Sequence, residues 1–212
     1  MMAAPMPPEQ NAPAEQPTAE PPPDRLYGFA RARQVFLGEF ENISLGLLLT
    51  NALVAPLPRL GFGRFRAGVY RAMGLPVGAG TLILGELELS GGPTWRDRLT
   101  IGARCVLNSP LFIDLNDRVI IEDEVSIGHH VTLITSSHLV GKSERRAGMM
   151  TTAPITLGAG CWLSAGVTVL PGVTVGKGSI VAAGSLVASD IPPHKMAGGV
   201  PARVVKSLPE IP

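Results

Sequence analysis

The chain is predicted to be a β-solenoid, a coil of short parallel strands, and three observations carry that prediction. Apolar residues recur every six positions: Val77, Ile83, Leu89, Trp95, Ile101, Leu107, Ile113 and Val119. After a two-residue slip the series resumes at Ile121, Ile127 and Leu133, and after a gap at Leu157, Leu163, Val169, Val175, Val181 and Val187. The following position is often glycine or another small or polar residue, as at Gly78, Gly102, Asn108, Gly128, Gly158, Ser164 and Gly176. Finally, 25 glycines accompany only 5% aromatic residues, so the core must be aliphatic and tight turns must be frequent.

A period of six is neither the 3.6 of a helix nor the 2 of a half-buried strand. It is the period of flat strands stacked coil on coil and joined by corners. One such strand cannot bury its own face, so each coil depends on its neighbours. Three six-residue strands per coil make a triangular prism. Small residues such as Val173, Ser179, Ala183 and Ser185 suit its narrow interior and corners.

The remaining elements follow in chain order. Residues 1–24 are rich in proline and have no apolar run, so a disordered tail is expected rather than a signal peptide. Residues 25–75 read as a basic helical segment, with helices over about 42–54 and 63–73 broken at Pro56 and Pro58. Arg25, Arg31, Arg33, Arg59, Arg64, Arg66 and Arg71 there face only Glu39 and Glu41. Arg64, Arg66 and Arg71 interleave with Phe62, Phe65, Val69 and Tyr70, a pattern that suits peripheral contact with an anionic membrane. The alternative is a helix that packs on the solenoid and points its arginines at water. The apolar stretch Ile43–Pro58 is too short to span a bilayer. Residues 76–191 form the solenoid, interrupted at 139–154 by an excursion loop, and 192–212 form a C-terminal segment.

Net charge is +1, which argues for neither a nucleic-acid nor an acidic partner, and no nucleic acid is expected. Cys105 and Cys161 lie in apolar contexts without metal spacing, as in a reduced, cytoplasmic protein.

Three stretches carry a resemblance: IGHHVTLITSSH at 127–138, APITLGAGCWLSAGVTVLPGVTVGKGSIVAAGSLV at 153–187, and DIPPHKMAGGVPARVV at 190–205. With Ile101–Asp117 they cover about half of the chain. The chain resembles the hexapeptide-repeat O-acetyltransferases, near the maltose, galactoside and nodulation-type sugar enzymes. It looks closer still to acetyltransferases of exopolysaccharide and colanic-acid gene clusters. The resemblance implies a left-handed parallel β-helix, a homotrimer with active sites at subunit boundaries, and acetyl-CoA as co-substrate with no metal required. It also implies transfer of acetyl to a hydroxyl of a sugar or glycan intermediate.

Acyl transfer to a hydroxyl needs a base, donors for the tetrahedral oxyanion, and a track that holds CoA. His138 is the candidate base: an imidazole can take and return a proton near neutral pH, and it matches the family's catalytic histidine. Asn108 falls where the family carries an asparagine near the acceptor. Eight residues later the sugar enzymes often place an acceptor-binding aspartate; here that position is Asn116, and Asp114, two residues away, could supply the carboxylate instead. CoA is expected along the last coils, by Gly160, Ala165, Gly166, Ala182, Ala183 and Gly184, with amides near Ala165 as oxyanion donors. Trp162 would line the thiol end, and Arg203 and Lys206 would face the phosphates, Lys177 being a weaker candidate.

His129, His130 and His138 invite a zinc reading, but their spacing does not match that of solenoid carbonic anhydrases. An N-acetyltransferase for an amino sugar or amino acid would use the same base and the same track. A non-catalytic trimeric scaffold is the alternative from a different class.

Overall fold

The computed structural model describes residues 45–58, 61–91 and 95–210. The expected tail and the part of the basic segment before Leu45 lie outside the described residues. Within them the chain forms a parallel β-helix with three walls. The first wall stacks β1 (Leu82–Leu84), β4 (Val106–Asn108), β7 (Ser126–Ile127), β12 (Trp162–Leu163), β15 (Ile180–Val181) and β17 (Lys195–Gly199), and β18 (Ala202–Ser207) closes it. The second stacks β2 (Glu88–Ser90), β5 (Leu111–Asp114), β8 (Val131–Leu133), β13 (Thr168–Val169) and β16 (Leu186–Val187). The third stacks β3 (Leu99–Ile101), β6 (Val119–Ile121), β11 (Ile155–Leu157) and β14 (Thr174–Val175).

The six-residue series is the inner ladder of this prism. Leu107 pairs with Ile127, Ile127 with Leu163, and Leu163 with Val181; all four are at most 1% exposed. Each of these strands puts an aliphatic side chain of the series inward, and strands such as β3, β6, β8 and β11 bury a second one two residues earlier; the coils above and below bury them. At the corner from third to first wall the coils approach so closely that side chains would collide. A Cβ on Gly78 would lie 2.3 Å from the Ala103 amide nitrogen, and one on Gly102 would lie 2.5 Å from Asp123 Oδ1.

The departures from period six all fall on one edge. From first to second wall, and from third to first, equivalent residues are six apart in every coil, as in Ile83 to Leu89 and Ile121 to Ile127. From second to third wall the step is twelve (Leu89 to Ile101), eight (Ile113 to Ile121), twenty-four (Leu133 to Leu157), six (Val169 to Val175) and four (Val187 to Ile191). Additions to the coil are thus confined to the second–third edge.

Three sequence expectations change here. Trp95, in register with the series, belongs to a short helix, α3 (Trp95–Arg98), in the first enlarged corner rather than to a strand. It is apolar and 1% exposed, which is why it mimics a wall position. The stretch expected to be a loop at 139–154 is mostly an antiparallel hairpin of β9 (Ser136–Val140) and β10 (Ala147–Thr152). The solenoid also runs past residue 191, since β17 pairs with β15 and β18 folds back on β17.

Two helices, α1 (Leu45–Val54) and α2 (Gly63–Ala72), precede the solenoid, and α2 packs against β1 as the terminal cap a solenoid needs. Arg66 is buried, donating from Nη1 to the Gly61 carbonyl at 2.9 Å and from Nη2 to Leu57 and Pro58 at 2.7 and 2.8 Å. Arg71 donates to the carbonyls of Val77 and Gly78. Two of the three arginines of α2 thus brace the cap instead of pointing freely at water. Tyr70 is fully buried; its hydroxyl donates to Asn51 Oδ1 at 2.8 Å and accepts the Leu87 amide at 2.9 Å. Burial pushes its phenol up to about 12. Tyr70→Phe removes both partners' contacts, and thermal unfolding should show a loss of about 1–2 kcal/mol.

Candidate active site

The second wall has an edge on each side, and the candidate residues divide between them. The edge shared with the third wall carries Asp114, Asn116 and the β9–β10 hairpin with His138. The edge shared with the first wall carries Asn108, His129, Ala165, Gly166 and Ala183, one corner per coil. One protomer therefore brings together His138, Asp114 and Asn116, and separately Asn108, Ala165, Gly166 and Ala183. It does not bring His138 to Asn108.

His138 sits on β9 directly across from Met150 on β10. Its Nδ1 lies 2.9 Å from the carbonyl oxygen of Gly148. A carbonyl can only accept, so Nδ1 carries the proton and donates. In the neutral ring this leaves the lone pair on Nε2, and Nε2 has no hydrogen-bond partner among the described residues.

Asp114 is 4% exposed and anchors this edge. Its Oδ1 accepts from Asn116 Nδ2 at 2.6 Å, from the Asn116 amide at 3.2 Å and from Ser90 Oγ at 3.3 Å. Its Oδ2 accepts from Ser136 Oγ at 2.6 Å and from the Thr135 amide at 3.1 Å. Burial alone would raise its pKa, yet these hydrogen bonds, led by Ser136, outweigh burial and hold the carboxyl below the usual range. Ser136 opens β9, so the carboxylate ties down the strand that presents His138 two residues later. Asn116 has its amide nitrogen bound to Asp114, while Arg98 of α3 donates to the carbonyls of Leu115 and Asn116 at 2.8 and 2.9 Å. The side-chain oxygen of Asn116 has no hydrogen-bond partner among the described residues.

On the other edge, Asn108 Nδ2 donates to the Ile127 carbonyl at 2.8 Å, spanning two coils. The Gly166 amide donates to the His129 carbonyl at 2.8 Å and is engaged; the Ala165 amide has no acceptor among the described residues. Of the two amides, that of Ala165 is the one left unengaged among the described residues. Trp162, half exposed, stands on the first wall just before this corner. Its row continues outward through Ile180, Met196 and Lys206, three strand spacings or about 14 Å. Arg203 lies opposite Gly198, and neither Arg203 nor Lys206 makes an ion pair among the described residues. Lys177 lies on the third–first edge, apart from that track.

The histidines do not converge. His129 Nδ1 is 2.7 Å from the Ser109 carbonyl on one edge, His138 is on the next, and His194, 3.3 Å from Glu210, is on the third. Among the described residues no group of three His, Cys, Asp or Glu could hold a metal ion. Sequence reasoning missed Thr135, Ser136 and the Gly148 carbonyl. The signal was the polar run Thr135–Ser136–Ser137, where the six-residue series stops.

Comparison with known proteins places this geometry. The model of the bacterial transferase hexapeptide (six repeats) matches residues 154–189. Sophorolipid acetyltransferase of Starmerella bombicola is 49% identical over 92 residues, which are 43% of this chain and 36% of that protein. The chain spans between 36% and 57% of the curated relatives it matches. A hexapeptide-repeat acetyltransferase of Vibrio cholerae O1 biovar eltor, solved with acetyl coenzyme A, superposes with a TM-score of 0.65 at 26% identity, over 78% of this chain and 84% of that one. A galactoside acetyltransferase in complex with coenzyme A superposes with a TM-score of 0.60 at 30% identity, over 79% of this chain and 85% of that one. With the coils, the corners and the extent of these matches in agreement, the chain belongs to the hexapeptide-repeat acetyltransferases.

Proposed function

We propose that the protein transfers an acetyl group from acetyl-CoA to a hydroxyl of a sugar or glycan acceptor, with His138 as general base. The observation that carries this reading is the His138 Nδ1–Gly148 hydrogen bond, which leaves Nε2 able to accept a proton. The acceptor hydroxyl gives its proton to Nε2 as its oxygen attacks the thioester carbon. The Ala165 amide receives the oxyanion, and collapse expels the CoA thiolate, which takes the proton back from His138. Asn116, with Asp114 behind it, orients the acceptor, and Asn108 steadies the hydroxyl. The donor runs past Trp162, Gly166 and Ala183, with its phosphates toward Arg203 and Lys206. Relatives named for sophorolipid and galactoside support a sugar-bearing acceptor. A cytoplasmic location, where acetyl-CoA is available, belongs to the same reading.

Because His138 and Ala165 lie on different edges, a complete site takes its base from one copy and its donor track from the next, as in a closed threefold ring. Thiol release from acetyl-CoA across a panel of sugars tests the transfer. Mixing tests the ring: His138→Ala and Ala165→Trp proteins, each inactive, are unfolded and refolded together. Random threefold assembly should restore activity at about one quarter of the sites. No recovery in mixed trimers would place the whole site within one chain.

A further inference from the structure

The N-terminal cap presents an apolar face that the transfer reaction does not use. Helix α1 is apolar on both faces, with Val54 buried and Leu47 packed against the core. Its polar residues turn inward: Thr50 is 1% exposed and Asn51 bonds Tyr70 and Leu87. Every exposed position described on it is apolar, namely Leu48, Leu49, Ala52 and Leu53, with the three leucines 55–58% exposed. Phe62 and Phe65, one turn apart at α2, are exposed to a similar degree, with exposed Arg64 between them. A helix apolar on its outer face needs a non-aqueous neighbour.

Charge identifies that neighbour. From Leu45 to Gly85 the sequence has no Asp or Glu and four arginines, Arg59, Arg64, Arg66 and Arg71. A second copy of this face would meet like charge. Arg66 is buried, but Arg64 and Arg71 are exposed, so an anionic lipid surface would take the leucines and phenylalanines into its interface and attract those two arginines. No helix among the described residues is long and apolar enough to cross a membrane, and a ten-residue helix of about 15 Å lies along an interface rather than through it.

We infer that the face formed by Leu48, Leu49, Leu53, Phe62, Phe65 and Arg64 docks the protein on an anionic membrane surface. This does not rest on the transfer reading, and its test needs no substrate. Full-length protein is sedimented with vesicles of phosphatidylcholine alone and with vesicles containing one-third phosphatidylglycerol. Strong binding is expected only to the anionic vesicles, weakening with added salt. Leu49→Glu/Leu53→Glu should lower the bound fraction at least tenfold, and Arg64→Glu should lower it several-fold, both with unchanged melting temperature. These side chains are exposed, so the fold should tolerate the changes; Leu48→Ser/Leu49→Ser/Leu53→Ser serves as a second variant. Absence of binding by the wild type overturns the inference, as does binding that ignores these substitutions or is equal on neutral vesicles. A change in oligomeric state of the leucine variants without lipid also overturns it, because the face would then be a contact between copies.

Discussion

His138→Ala should lower kcat for acceptor-dependent thiol release by about 10²–10⁴-fold, the usual contribution of a positioned base. That is about 3–5 kcal/mol of transition-state stabilisation. The ring is exposed on β9 and makes one hydrogen bond, to the Gly148 carbonyl, so the variant should melt with the wild type. Its KM for acetyl-CoA should change little, because the track proposed for the donor lies on the other edge of the second wall. His138→Gln keeps a donor for the Gly148 carbonyl but cannot shuttle a proton, and it should be as slow as the alanine variant. A loss of less than threefold in either protein would remove His138 from the proton transfer.

The second large effect falls on stability as well as rate. Asp114→Ala leaves donors from Ser90, Asn116, Thr135 and Ser136 in a closed corner without their acceptor. Unpaired buried donors and the lost charge-assisted bonds should cost about 3 kcal/mol, or about 6–12 °C in Tm for a chain of this size. The rate should fall too, since Ser136 no longer fixes the start of β9. Asp114→Asn, which keeps one acceptor oxygen, should lie between. The carboxyl titrates below the ordinary aspartate value of ~3.9, so its stabilisation is fully present above that value. It is lost as pH falls through the lower native pKa. Melting curves from pH 6 down to 3 should therefore steepen on the acid side for the wild type and flatten for Asp114→Asn. Equal acid sensitivity in the two proteins would mean that other carboxylates govern the acid limb.

The walls were legible because burial imposes a strict rule on them: each strand must put an aliphatic residue inward. The edges were less legible because corners obey looser rules. A polar side chain can replace a glycine there, as Glu122 does by accepting the Ala159 amide at 2.8 Å. The hairpin was read as a loop because Leu139, Val140, Met149 and Met150 are all exposed, so neither strand alternates between apolar and polar. Trp95 misled by falling in register while serving a helix. β17 and β18 escaped notice because backbone pairing, not a hexapeptide side-chain pattern, defines them. Asp114 was a candidate for the acceptor because its residue type and spacing suit one; only three dimensions show how many donors already surround it. The separation of His138 from Asn108 was implicit in the residue numbers, since the step of six survives at one edge and fails at the other.

The concentration of inserted length on the second–third edge has a thermodynamic meaning. Ile121 and Leu157 pair across thirty-six residues, whereas Leu163 and Val181 pair across eighteen. Loop-closure entropy grows only with the logarithm of length, so this doubling opposes folding by about 0.6 kcal/mol. The prism thus tolerates the hairpin at less than the worth of one hydrogen bond. Segments of other lengths and compositions could close the same gap, so the surface around the hairpin is free to be rebuilt while the corners between the first and second walls stay as they are.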